Sequence, residues 1–167
     1  GSERNLGQCA ATRAGPIGPG LAWSPDRKWL AIVDKSSPQE PNSIFLLSVE
    51  TGEKRKLTTP PAQNVGDWWP SFSLDGKTVA FVRTGSLLVD DIYLVPIAGG
   101  EPKRLTSDER RIGGLAWTPD SRQIVFSSNR AGSFSLWRIS AEIPSTTGPP
   151  ERLAAAGENA FHPSISR

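Results

Sequence analysis

Apolar and polar positions along this chain follow a short, recurring rhythm. "GLAWS" alternates, with Leu21 and Trp23 on one face; Pro25, Asp26, Arg27 and Lys28 form a polar turn; "WLAIV" (Trp29 to Val33) is then continuously apolar. A period of two predicts a strand, and an unbroken apolar run of this length between turn residues predicts a strand covered on both faces. In the turn, proline fixes φ and the aspartate can bond its own backbone. After a polar loop comes "SIFLLSV", then the glycine-bearing turn "ETGE" and a charged segment, "KRKLT". The unit therefore has four predicted strands, the last one charged as an exposed edge strand should be.

The whole unit repeats. "AWSPDRKWLAIV", "SFSLDGKTVAFV" and "AWTPDSRQIVFS" align without a gap, with their turn aspartates Asp26, Asp75 and Asp120 spaced 49 and 45 residues apart. The second anchor, "KRKLT", "PKRLT" and "PERLA", places Leu57, Leu105 and Leu153 at intervals of 48 and 48. A four-stranded all-β unit with a period in the forties is a propeller blade. The expected architecture is an all-β propeller fragment of about three four-stranded antiparallel blades. The expected blades span 20–58, 59–106 and 107–154. An orphan strand is expected at each end, "ERNLG" within residues 1–19 and "HPSIS" within residues 155–167, because they match the last and first strands of a blade. Gly1-Ser2 reads as an expression scar, and the lack of methionine suggests a chain cut from something longer. Three blades do not close a ring, so self-association or further blades of a parent chain are expected to complete it.

Composition narrows the partners. The formal charge is +2, from 19 basic and 17 acidic side chains spread along the chain, so no concentrated cationic surface for nucleic acid is expected. No apolar run approaches the length of a membrane-spanning helix. The single Cys9 excludes an internal disulfide or a multi-cysteine metal site and fixes no compartment.

The aspartate turn followed by an apolar strand, together with "DIYLVPIAGGEPKRLT" and "FSSNRAGSFSLWRIS", resembles the TolB-type repeat, also called the WD40-like Pro-Asp repeat, over residues 20–167. It differs from true WD40 repeats, which pair an early Gly-His with a Trp-Asp. It also departs from its own pattern at Leu74, Arg27 and Ser121, where proline or glycine is usual. The resemblance implies a bacterial propeller of the kind found in TolB, in gating domains of prolyl oligopeptidases, and in sensory regions of winged-helix or kinase regulators. The last group is the most similar. The resemblance leaves periplasm and cytoplasm both open, with a slight lean toward an extracytoplasmic setting, and implies a protein or peptide partner.

No catalytic apparatus is expected. The only histidine, His162, sits where Trp69 sits in another blade, and no G-x-S-x-G elbow occurs. No metal or other cofactor is expected: Asp26, Asp75 and Asp120 recur because turns need them, and Asp90-Asp91, a carboxylate pair before a strand, is the candidate for a hard cation. Trp23, Phe72 and Trp117 share one blade position and are expected to pack between blades. Of Trp68 and Trp69, strict alternation turns one ring outward. The loops between blades, and between second and third strands, differ from blade to blade and share one face. They gather Asp67, Trp68, Arg83, Arg110, Arg111, Asn129 and Arg130 as the expected ligand or partner face.

Overall fold

The computed structural model describes residues 20–86, 89–107, 109–142, 148–154 and 163, so both expected orphan strands and His162 lie outside the described residues. Three antiparallel four-stranded sheets follow one another along the chain. Blade 1 contains β1 (Leu21–Trp23), β2 (Trp29–Asp34), β3 (Ser43–Ser48) and β4 (Lys54–Lys56). Blade 2 contains β5 (Gly66–Phe72), β6 (Thr78–Ser86), β7 (Val89–Pro96) and β8 (Lys103–Arg104). Blade 3 contains β9 (Ile112–Trp117), β10 (Gln123–Ala131), β11 (Ser133–Ser140) and β12 (Glu151–Arg152). Strand order within each blade is sequential, the meander that tight turns produce.

The register explains the continuous apolar runs. In blade 2, Val79 faces Val95 and Phe81 faces Tyr93, whereas Ala80 faces Leu94 and Val82 faces Ile92. Because successive side chains leave a strand on opposite sides, the first set meets blade 1 and the second meets blade 3. Val79, Phe81 and Val95 share a core with Ala31, Ile44, Leu46 and Leu57 of blade 1. Ala80, Val82, Ile92 and Leu94 share another with Ile112, Leu115, Trp117, Ile124, Phe126 and Ile139 of blade 3. A blade between two others has no polar face to spare. Each fully buried branched or aromatic side chain contributes about 2 kcal/mol of transfer free energy.

The turns between first and second strands are built identically three times. Ser24, Ser73 and Thr118 each donate a hydroxyl to the carboxylate two residues on (Asp26, Asp75, Asp120) at 2.6 Å. Each carboxylate also accepts a backbone N–H from Lys28, Lys77 or Arg122 at 3.0 Å. The hydroxyl bonds first, and the backbone N–H second, hold all three carboxyls below the ordinary aspartate value. The next residue takes a left-handed conformation: Arg27 (φ 62°), Gly76 (φ 71°) and Ser121 (φ 58°). Left-handed backbone costs a residue with a Cβ about 1–2 kcal/mol, partly offset by glycine's greater unfolded-state freedom. Arg27→Gly should therefore raise the melting temperature by about 2 °C. Thermal unfolding checks this, and a lower melting temperature would contradict the turn geometry.

Phe72 and Trp117, at 7% and 6% exposure, lie within the two inter-blade cores, and Trp117 Nε1 donates to the Ser71 carbonyl across the blade boundary at 3.0 Å. Trp23 occupies the same repeat position but is 52% exposed, beside Leu21 at 53%. It stands on the side of blade 1 turned away from blade 2. Repetition places it correctly in the blade, but that side has no neighbouring blade among the described residues.

Candidate functional site

The hairpin topology puts the connections between blades and the loops between second and third strands at one end, opposite the aspartate turns. Two junctions fix this end. At the first, Asn42 bridges Gly66: Asp67 N donates to the Asn42 carbonyl at 2.8 Å, and Asn42 N reaches the Val65 carbonyl at 3.4 Å. At the second, Asp90 bridges Arg110, and its carboxylate accepts the Ile112 N–H at 3.0 Å and the Thr84 hydroxyl at 2.7 Å. Asn129 extends the second junction, accepting the Arg111 N–H on its side-chain oxygen at 3.0 Å while its own N–H donates to the Arg111 carbonyl at 3.3 Å.

The seven residues expected on this face divide between the interior and the surface. Asp67 is fully buried and bonded to Arg83 by two parallel contacts, Nε to Oδ1 at 2.7 Å and Nη2 to Oδ2 at 2.8 Å. The Arg83 guanidinium also lies over Tyr93 at 4.8 Å and Phe81 at 5.5 Å, within the boundary between blades 1 and 2. Burial pushes the Asp67 carboxyl above its ordinary value; hydrogen bonds from Arg83 and Thr58 pull the other way. Arg130 sits over Phe126 at 4.8 Å and Trp137 at 5.0 Å, the counterparts of Phe81 and Tyr93 in the next blade. Asp67 and Arg83 are thus turned into a blade boundary, and Arg130 is half-buried on its aromatic pair beside a cavity lined by Thr106, Ser107 and Pro149. Arg110 and Arg111 stay exposed, Arg111 with its Nε 3.8 Å from Asp90, and Asn129 spends its side chain on the Arg111 backbone.

Trp68 differs from the expectation of an outward ring. Trp69 has φ 55°, and the β5–β6 register shifts between Trp68 and Ser71. This bulge breaks the alternation, so both rings pack on the core between blades 2 and 3, Trp69 buried and Trp68 partly so. Asp90 and Asp91 leave β7 on opposite sides. Asp91 accepts from Thr106 Oγ1 at 3.0 Å and Arg104 Nη2 at 2.7 Å, while Asp90 serves the junction, so the two carboxylates do not converge. Among the described residues no group of three or more His, Cys, Asp or Glu side chains is placed to hold a metal, and no helix is long and apolar enough to cross a membrane.

Sequence reasoning passed over the repeated threonine of the Lys/Arg-Leu-Thr anchor. Thr58 and Thr106 each accept a backbone N–H at 2.9 Å, from Ile44 and Ile92, and each donates its hydroxyl in a hydrogen bond to a buried aspartate, Asp67 or Asp91. Its spacing of 48 residues was the available signal.

The architecture is shared with known proteins. The chain is 34% identical over 145 residues to an uncharacterized protein of Agrobacterium fabrum, covering 86% of this chain and 46% of that protein. It is 28% identical over 142 residues to the uncharacterized peptidase YuxL of Bacillus subtilis, covering 64% of this chain and 21% of that one. The structure of TolB from Acinetobacter baumannii superimposes with a TM-score of 0.66 at 29% identity, over 80% of this chain and 31% of TolB. The chain thus spans less than half the length of these relatives. The TolB beta propeller domain family, PD40, matches residues 11–167, and with three sequential four-stranded blades on a 45–49-residue period the chain belongs to that family.

Proposed function

We propose that this propeller is a non-catalytic interaction and sensing module of a larger bacterial regulatory protein, and that its loop face binds an acidic peptide segment of a partner. The observation that supports this reading is the placement of Arg110 and Arg111. Both guanidinium groups are exposed on a connection whose backbone is pinned on one side by Asp90 and on the other by Asn129. A pinned loop loses little conformational freedom on binding, and guanidinium forks match carboxylates. Blade packing supplies rigidity and the loops supply recognition.

Peptides selected from a random library against the whole chain test this. Arg110→Glu and Arg111→Glu should each weaken the selected acidic peptides about tenfold or more, the cost of replacing an attractive charge by a repulsive one at close range. Arg122→Glu, in the turn at the opposite end, should leave affinity unchanged. Equal loss in all three variants, or selection of no acidic sequence, would overturn the reading.

The similarity to YuxL favours a second reading, in which the propeller flanks the catalytic domain of a serine peptidase and controls access to it. An α/β-hydrolase segment in the same gene would decide for it.

A further inference from the structure

A cavity of about 450 Å³ opens between blades 2 and 3, within the size range of small-molecule sites. Blade 2 contributes Leu105 and Ser107 to its lining; blade 3 contributes Arg130, Ile139, Pro149 and Pro150. Most of these side chains are apolar, and one is a cation. The Arg130 guanidinium lies over Phe126 at 4.8 Å and Trp137 at 5.0 Å, so it is held in place before any ligand arrives. The boundary between blades 1 and 2 shows what an arginine in this setting takes up. Arg83 lies over the equivalent ring pair, Phe81 and Tyr93, and grips the Asp67 carboxylate through two parallel bonds. The charge of Glu101 acts on it as well. In the next boundary neutral residues stand at both acidic positions. Ile112 occupies the register place of Asp67, and Pro149 aligns with Glu101, 48 residues earlier. A guanidinium has five N–H donors, so a contact that Arg130 makes elsewhere leaves others for a ligand in the cavity.

From this internal template we infer that the cavity between blades 2 and 3 binds a small free carboxylic acid with an apolar body. The ligand carboxylate accepts hydrogen bonds from Arg130 as Asp67 accepts them from Arg83, and the planar fork of a guanidinium favours a carboxylate over a neutral polar group. The hydrocarbon part lies against Leu105, Ile139 and Pro150, and the exposed Ser107 adds a hydroxyl at the opening. Neither Arg110 nor Arg111 lines the cavity, so the site is independent of peptide binding on the loop face.

Phenylacetate and its neutral isostere phenylacetamide, titrated separately into the whole chain and followed by calorimetry, test this. The acid should bind about tenfold more tightly than the amide or better, the difference made by charge-assisted hydrogen bonds. Arg130→Met should remove that preference. Because Arg130→Met also uncovers two aromatic rings, Pro149→Glu provides a second variant at an exposed position. A glutamate there offers Arg130 the anion that Glu101 offers Arg83, so affinity for the acid should again fall about tenfold. Arg110→Glu, which weakens acidic peptides on the loop face, should leave affinity for phenylacetate within about twofold. Equal affinities for acid and amide, no binding of the acid in the millimolar range, or a folded Pro149→Glu chain that binds the acid as the parent does would each overturn the inference.

Discussion

Gly66→Ala is expected to lower the melting temperature by about 10 °C and to loosen blade 1 from blade 2. Gly66 holds φ at 137°, a conformation that side chains rarely adopt, and an added Cβ would lie 2.6 Å from the Asn42 nitrogen and 2.7 Å from its carbonyl oxygen. Those are backbone atoms, and they form the bridge at which blade 2 begins. Relief therefore requires the Asn42 loop to retreat, which breaks the bond from Asp67 N to the Asn42 carbonyl and disturbs the buried carboxylate that follows. Backbone strain of this kind costs about 1–3 kcal/mol, and a lost buried hydrogen bond adds about 1 more. At about 2–4 °C per kcal/mol for a domain of this size, the sum gives the stated shift. Gly85→Ala is the control, since Gly85 has no positive φ and open space around it. Thermal unfolding compares the two, and amide exchange across residues 29–48 should quicken only in Gly66→Ala. Equal melting temperatures for the two variants would mean that the Asn42 backbone does not crowd Gly66.

The strands and their repetition were legible because inter-blade packing imposes one simple rule, apolar residues on both faces of the middle strands. "TVAFV" and "DIYLVP" could not satisfy that rule in any other element. The limits of the strands were less legible. Reading by apolar content ends β6 at Val82 and puts Arg83 in a loop, yet β6 runs on to Ser86 and β5 starts at Gly66, so Asp67 and Arg83 face each other on one ladder. A buried ion pair continues a strand as well as two leucines do, but its residue types imitate a surface loop. Arg130 is placed in the same way, with its guanidinium over Phe126 and Trp137. Trp68 was placed outward by strict alternation, and nothing in "GDWWPSF" announces the bulge at Trp69. The exposed pair Arg110 and Arg111 was legible because it stayed where charged loop residues ordinarily stay.

Breaking the Asp67–Arg83 pair from the arginine side should be costly near neutral pH and progressively less so in acid. Arg83→Met removes the bidentate partner of a carboxylate that has no exposure to water. An ionised carboxylate left without its adjoining counter-charge in that boundary costs about 3–5 kcal/mol. The pair itself contributes less than that figure, because burying it strips both ions of hydration; in blade 3 the same register positions hold the uncharged Ile112 and Ser128. Asp67→Leu combined with Arg83→Met should accordingly recover to within about 1 kcal/mol of the parent. The pH dependence follows from the direction in which burial moves Asp67. Its carboxyl is already raised in the folded chain, and loss of Arg83 raises it further. A group whose folded value lies above its unfolded value favours folding below the unfolded value and loses that contribution as pH rises through the folded value. Arg83→Met should therefore be most destabilised above the folded Asp67 value and should approach the parent as the carboxyl takes up a proton. The turn aspartates work in the opposite sense. Asp26, Asp75 and Asp120 are lowered on folding, so their contribution is present above the unfolded value and fades as pH falls through the folded one. Both chains carry those three turns, so subtracting one unfolding free energy from the other at each pH cancels them and leaves Asp67. Denaturant melts between about pH 4 and pH 8 give that difference. A deficit that is flat across this range would show that Asp67 does not change its protonation when Arg83 is removed, and that the loss reflects only the packing of the arginine stem on Phe81 and Tyr93.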